Sequence, residues 1–118
     1  APWYCLKDDI SKAVVENGIT VLGAGAFLEC SNLTSVTLPD SLRSIGNAAF
    51  YYCKSLTSIN IPNAVTSIGK QAFVGCKSLA DIRYNGTIEQ WQKIELGKGW
   101  NEDVPSTVVH CTDGDVKI

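Results

Sequence analysis

SNLTSVTLPDSLRSIGNAAFYYC (residues 31–53) and KSLTSINIPNAVTSIGKQAFVGC (residues 54–76) follow one another without a gap and agree at ten of 23 positions. The stretch before them, DDISKAVVENGITVLGAGAFLEC (residues 8–30), falls into the same frame: Ala26-Phe27, Ala49-Phe50 and Ala72-Phe73 recur every 23 residues, as do Cys30, Cys53 and Cys76. The second unit carries apolar residues at Leu33, Val36, Leu38, Leu42, Ile45, Ala49, Phe50 and Cys53. The third carries them at Leu56, Ile59, Ile61, Val65, Ile68, Ala72, Phe73 and Cys76, and the first at Ile10, Ala13, Val15, Ile19, Leu22, Ala26, Phe27 and Cys30. A fixed period of this length is the signature of a repeat architecture.

The pattern inside one unit predicts its conformation. Leu33-x-x-Val36-x-Leu38 puts 36 and 38 on one face of a short strand, and Pro39 and Pro62 end their strands by removing a backbone donor. A second extended piece follows at 42–45, Gly46 turns the chain, and Ala49-Phe50-x-x-Cys53 has the spacing of one inward-facing helical turn. Each unit then reads as one coil of a solenoid. A coil cannot bury its apolar face alone, whereas coils stacked at strand spacing share a continuous core.

The ends depart from the repeat, as terminal coils do. Leu79, Ile82, Tyr84 and Ile88 hold the register for half a coil, after which Trp91 stands where Ile is due and Glu95 where Ala is due. Thr87 is placed to N-cap a short helix over 88–95, with Gln90 completing a capping box, and Gly97-Lys98-Gly99 to end it. Residues 107–111, a β-branched run, read as a closing edge strand before a polar tail. Trp3, Tyr4 and Leu6 are expected to cover the first coil. The chain divides accordingly into one domain, 1–118: an N-terminal cap (1–9), repeats 10–30, 31–53 and 54–76, and a half repeat with a C-terminal cap (77–118).

Composition narrows the function. The chain has 118 residues, 45% of them hydrophobic and 19% charged, with a net charge of −2. That balance excludes a disordered tail, a basic nucleic-acid footprint and a polybasic membrane anchor, and no apolar run is long enough to span a membrane. The N-terminus, Ala1-Pro2-Trp3, reads as that of a mature product or an excised piece.

The motif L-x-x-I-x-(L/I)-P followed by (L/V)-x-x-I-G-x-x-A-F-x-x-C, carried by Leu33 to Cys53 and Leu56 to Cys76, closely resembles the BspA-like class of leucine-rich repeats. Tyr84-Asn85-Gly86-Thr87 with Gln90-Trp91, and His110-Cys111-Thr112-Asp113-Gly114, look like the cap that closes many such arrays in gut-dwelling bacteria. The resemblance implies an α/β-type solenoid, a right-handed coil with short parallel strands, short helical turns and a helix-strand cap. It further implies a secreted or cell-surface bacterial protein whose array binds other proteins, host matrix or partner cells among them, and it implies no activity.

The candidate chemistry yields to simpler explanations. The periodic cysteines are expected to stack as buried free thiols, their Cβ atoms too far apart for disulfides. Pairing between Cys5 and Cys111 is not expected, because they sit in opposite caps. His110 is the one histidine, and strand alternation points it away from Cys111, so no nucleophile–base pair forms. No C-x-x-C or H-x-x-x-H pair seeds a zinc site. Gly23-Ala24-Gly25 lacks the third glycine of a dinucleotide fingerprint, Asp113-Gly114-Asp115 supplies few of the oxygens calcium needs, and the sequons at Asn32 and Asn85 are coincidental. No enzyme, cofactor or metal is expected.

The positions facing out of the principal sheet are Lys12, Val14, Glu16, Ser35, Thr37, Ser58, Asn60, Asp81 and Arg83, expected to form one continuous surface with charges at its ends. Tyr51 and Tyr52 lie on the opposite side as the one aromatic pair expected to be partly exposed there, and a contact through them is the equal alternative to the sheet face. Two functions follow as expectations: an extracellular or cell-surface recognition module that binds a protein or glycoprotein, matrix proteins and mucins included, or a capped spacer with no ligand of its own. Neither involves nucleic acid or membrane insertion, and the isolated domain is expected to be a monomer.

Overall fold

Strand alternation sets the first face of every coil. β1 (Lys12–Val14), β3 (Ser35–Thr37), β5 (Ser58–Ile61) and β7 (Asp81–Tyr84) are the strands of the L-x-x-I-x-L segments. In β3, β5 and β7 one set of side chains is buried and the other faces outward, as a period of two requires. The second face is built from two-residue strands, β2 (Val21–Leu22), β4 (Ser44–Ile45), β6 (Ser67–Ile68) and β8 (Glu95–Leu96), which pair in parallel in that order. The computed structural model describes residues 11–118. The readings above for Trp3, Tyr4, Cys5, Leu6 and Ile10 lie outside the described residues.

All eight repeat positions of the second and third units are buried, from Leu33 to Cys53 and from Leu56 to Cys76. The three phenylalanines form a spine along the stack: Phe27 and Phe50 lie 5.4 Å apart between ring centroids, and Phe50 and Phe73 lie 5.2 Å apart with planes 2° from parallel. Trp100 closes the spine edge-on against Phe73, then Trp91 and Tyr84 follow.

The A-F-x-x-C segments face inward as expected, yet they are chains of tight turns rather than helix. Alternate N–H groups leave the segment for the next coil: Ala48, Phe50 and Tyr52 donate to the carbonyls of Lys70, Ala72 and Val74, each 22 residues on. The intervening N–H groups of Ala49, Tyr51 and Cys53 turn back to the carbonyl three residues earlier. A helix would need all of them along its own axis, so the inter-coil bonds exclude it. The geometry demands left-handed backbone twice per coil, at Gly25, Ala48, Gln71 and Gly99, and again at Glu29, Tyr52, Gly75 and Asp103.

These left-handed positions show where the sequence reading of the C-terminus fails. Glu95 was expected to be the last residue of a helix, but Glu95 and Leu96 form β8, paired with Ser67 and Ile68, which lie 28 rather than 23 residues earlier. Leu96-Gly97-Lys98-Gly99-Trp100 is therefore the fourth copy of Ile68-Gly69-Lys70-Gln71-Ala72, displaced by a five-residue insertion. The insertion is taken up around a single short helix, α1 (Ile88–Gln92), whose capping box of Thr87 and Gln90 is formed as the sequence predicts. Gly97 turns the fourth coil and does not end the helix.

β9 (Val108–Cys111) is also more than a closing edge. It runs parallel to β7, with Val109 beside Ile82 and His110 beside Arg83, so it opens a fifth coil. The tail then folds back as β10 (Gly114–Lys117), antiparallel to β9, and becomes the edge. The first face is not one sheet. β1 pairs with β3, and β5, β7, β9 and β10 form a separate four-stranded sheet, with no ladder between β3 and β5 among the described residues. At that step the chains are joined by a 3.4 Å bond from Thr57 N–H to the Thr34 carbonyl.

Cysteine needs a second correction. Cys53 and Cys76 are buried free thiols as expected, but Cys30 is disulfide-bonded. The free thiols do more than fill space. Cys53 Sγ–H donates to the Phe27 carbonyl and Cys76 Sγ–H to the Phe50 carbonyl, both at 3.0 Å, so each ties its coil to the one before.

Candidate recognition surface

The outward side chains of the first face stand in register across neighbouring coils. Lys12 lies beside Ser35 and Val14 beside Thr37 on one sheet. On the other, Ser58 lies beside Asp81, and Asn60 beside Arg83. All of these and Glu16 are exposed except Asp81, which is half-buried; Val14 is 73% exposed. The structure thus brings the nine expected positions to one side of the molecule, on two neighbouring sheets. Lys12, Val14, Glu16, Ser35 and Thr37 lie on or beside the β1–β3 sheet, and Ser58, Asn60, Asp81 and Arg83 lie on the four-stranded sheet, whose strand β5 packs beside β3.

The second group is larger than the sequence reading allowed. His110 stands beside Arg83, its Nδ1 2.7 Å from Asp115 Oδ1 and its Nε2 3.7 Å from Asp81 Oδ1. Arg83 Nε–H donates to Asp81 Oδ2 at 3.1 Å. Asp81, Arg83, His110 and Asp115 therefore make a charged cluster of both signs on rigid strands. Within it, Asp81 Oδ1 is buried and has no hydrogen-bond partner. Exposed pairs of this type add only about 0.2–1 kcal/mol each, so the cluster adds little to stability. His110 and Asp115 were missed because the strand after the cap was read as an isolated edge. Period-two alternation of Val109 inward with Ile82 was the available signal.

The remaining candidate groups are committed elsewhere. Asp113 Oδ1 accepts the Ile88 N–H at 2.9 Å, at the start of α1. The neighbouring Cys53 thiol, with burial adding to it, pushes the Cys76 thiol far above its ordinary value. Burial, then the charges of Asp113 and Asp115, raise the Cys111 thiol. Thiols held protonated in this way are poor nucleophiles. Tyr84 is raised by burial first and then by Cys111, and its hydroxyl donates to the Asn63 carbonyl at 3.3 Å.

Comparison with known proteins agrees with this geometry. Residues 3–95 match the family model described as BspA type Leucine rich repeat region, in six copies. Among solved structures, a leucine rich cell surface protein from Faecalibacterium prausnitzii A2-165 is 38% identical with a TM-score of 0.63, over 65% of this chain and 20% of that one. A leucine-rich repeat protein from Bacteroides ovatus ATCC 8483 is 34% identical with a TM-score of 0.70, over 81% of this chain and 23% of that one. This chain thus spans about a fifth of the length of each. Comparison with curated proteins finds no match. A family model that covers most of the repeats, and a register of stacked parallel coils that matches it, lead to one conclusion: the chain belongs to the BspA type leucine-rich repeat family.

Proposed function

We propose that this array is a recognition module of a bacterial surface protein, binding a protein or glycoprotein through the first face of the solenoid. The observation that carries the proposal is the charged group Asp81, Arg83, His110 and Asp115, set beside Ser58 and Asn60 on strands that the core holds rigid. Solenoids present such extended faces to partners, and opposed charges at fixed spacing supply specificity. The surface location is supported by the similar cell surface protein from Faecalibacterium prausnitzii. Matrix proteins and mucins are the partners to try first. No catalytic role is proposed, since the one histidine in the chain is held between two carboxylates and the thiols of Cys53 and Cys76 are buried.

One feature favours a second reading, a spacer with no ligand of its own: the nine outward positions include no aromatic residue, and aromatic anchors carry much of the binding energy at most interfaces. Immobilised matrix proteins and mucins, probed with the chain and with a Lys12→Glu, Glu16→Lys, Asp81→Lys, Arg83→Glu variant, separate the two. Saturable binding lost in the variant supports the recognition face. Binding retained in the variant removes it, and no binding to any partner leaves the spacer.

A further inference from the structure

A depression of about 340 Å³ lies on the A-F turn side of the stack, lined by Glu29, Ser31, Tyr52 and Lys54. Tyr51 stands against Tyr52, ring centroids 4.6 Å apart and planes at 79°. Two backbone features fix the Tyr52 ring. Tyr52 itself has φ of 58°, a left-handed conformation uncommon for a bulky residue. In the next coil the equivalent residue is Gly75, where a Cβ would come within 2.4 Å of the Tyr52 ring. The ring is thus seated on a position that only glycine leaves open.

The polar groups around this ring are uncommitted. Neither tyrosine hydroxyl, nor the Glu29 carboxylate, nor the Lys54 ammonium takes part in an interaction among the described residues. Ser31 Oγ–H donates to the Glu29 carbonyl at 3.3 Å, which leaves the oxygen able to accept.

We propose that this depression is a carbohydrate-binding subsite, with Tyr52 as stacking platform and Glu29 and Lys54 as acceptor and donor for sugar hydroxyls. A pyranose has an apolar C–H face that packs on an aromatic ring and a rim of hydroxyls that both donate and accept. An oriented ring flanked by one carboxylate and one ammonium is complementary to both. An extended peptide fits less well, because the backbone here offers no free edge: Glu29 N–H is bonded to the Tyr51 carbonyl and Tyr52 N–H to the Val74 carbonyl. The subsite lies away from the first face, so it stands or falls independently of the recognition surface above.

The test is a titration of the ¹⁵N-labelled chain with methyl glycosides of galactose, glucose and mannose and with N-acetylglucosamine, followed by amide shifts. Saturable shifts confined to residues 29–31 and 51–54 are expected for at least one sugar, with a dissociation constant on the order of 1 mM. Tyr52→Phe keeps the stacking face and should retain binding. Tyr52→Gly suits the left-handed backbone and should abolish it, and Lys54→Ala, a surface change that leaves the fold intact, should weaken it about tenfold. No saturable shift with any sugar, shifts elsewhere on the molecule, or saturable binding of a proline-rich peptide at these residues in place of sugar would overturn the assignment.

Discussion

The ring of Phe50 lies 5.2 Å from that of Phe73, the planes 2° from parallel, and both are fully buried. Each coil therefore rests on the same side chain of its neighbour, and the middle ring has a neighbour on both sides. Phe50→Ala removes it and should cost about 3–5 kcal/mol, whereas Ser35→Ala on the exposed face should change stability by less than about 0.5 kcal/mol. Urea denaturation of the two variants measures the difference. Equal midpoints would mean that the repeat register is wrong.

The motif glycines are not equivalent. A Cβ on Gly46 would sit 2.7 Å from the backbone of Gly23 and Ala24 in the previous coil, whereas one on Gly23 would meet nothing within 4 Å. Gly46→Ala should therefore destabilise by about 1–3 kcal/mol, as overpacked sites do, or more, since backbone yields poorly. Gly23→Ala should be neutral or stabilising by up to about 1 kcal/mol. Thermal melts of both variants check this, and a reversed order would contradict the coil spacing.

Gly75→Ala meets two obstacles at once, a φ of 76° and the Tyr52 ring. The variant is expected to lose stability and to expel the Tyr52 ring, seen as a change in the near-ultraviolet circular dichroism. Paired with Tyr52→Gly, the loss should shrink, because only the backbone strain remains.

Cys76 gives stability a pH dependence. Its folded-state value is raised above the ordinary 9.0, so the native state keeps the proton that the unfolded chain releases. The sign is fixed: the contribution is complete below about pH 9 and declines as pH rises above it, by up to about 1.4 kcal/mol per pH unit. Urea midpoints measured from pH 7 to pH 10 should fall less steeply for Cys76→Ala than for the parent chain. Parallel slopes would show that the thiol ionises in the folded protein.

The repeat made the core legible, because burial depends on side-chain period alone: every apolar position assigned in the second and third units is buried. Thr87 and Gln90 were legible for a related reason, since a capping box is a local bond pattern. The fourth coil was not, because five extra residues shift Leu96-Gly97-Lys98-Gly99-Trp100 out of frame, and Trp100 stands where the repeat has alanine. The left-handed turns escaped because Ala48, Gln71 and Tyr52 carry no signal of positive φ. The inter-coil bonds impose it on them. On the candidate face, alternation placed the nine outward residues, but the break beside Thr57 and the approach of His110 to Asp81 and Asp115 are tertiary facts.

The stack is held by a hydrogen-bond ladder that ends at the fourth coil. Ala48, Phe50 and Tyr52 donate to the third coil, and Gln71, Phe73 and Gly75 donate to the fourth, at the carbonyls of Lys98, Trp100 and Glu102. The equivalent N–H groups of Gly99, Asn101 and Asp103 have no backbone acceptor among the described residues. Amide hydrogen exchange read residue by residue tests this directly. Slow exchange at 48, 50, 52, 71, 73 and 75 with fast exchange at 99, 101 and 103 is the expected result. Fast exchange at the first six, or protection at the last three equal to theirs, would contradict a stack of four coils in this register.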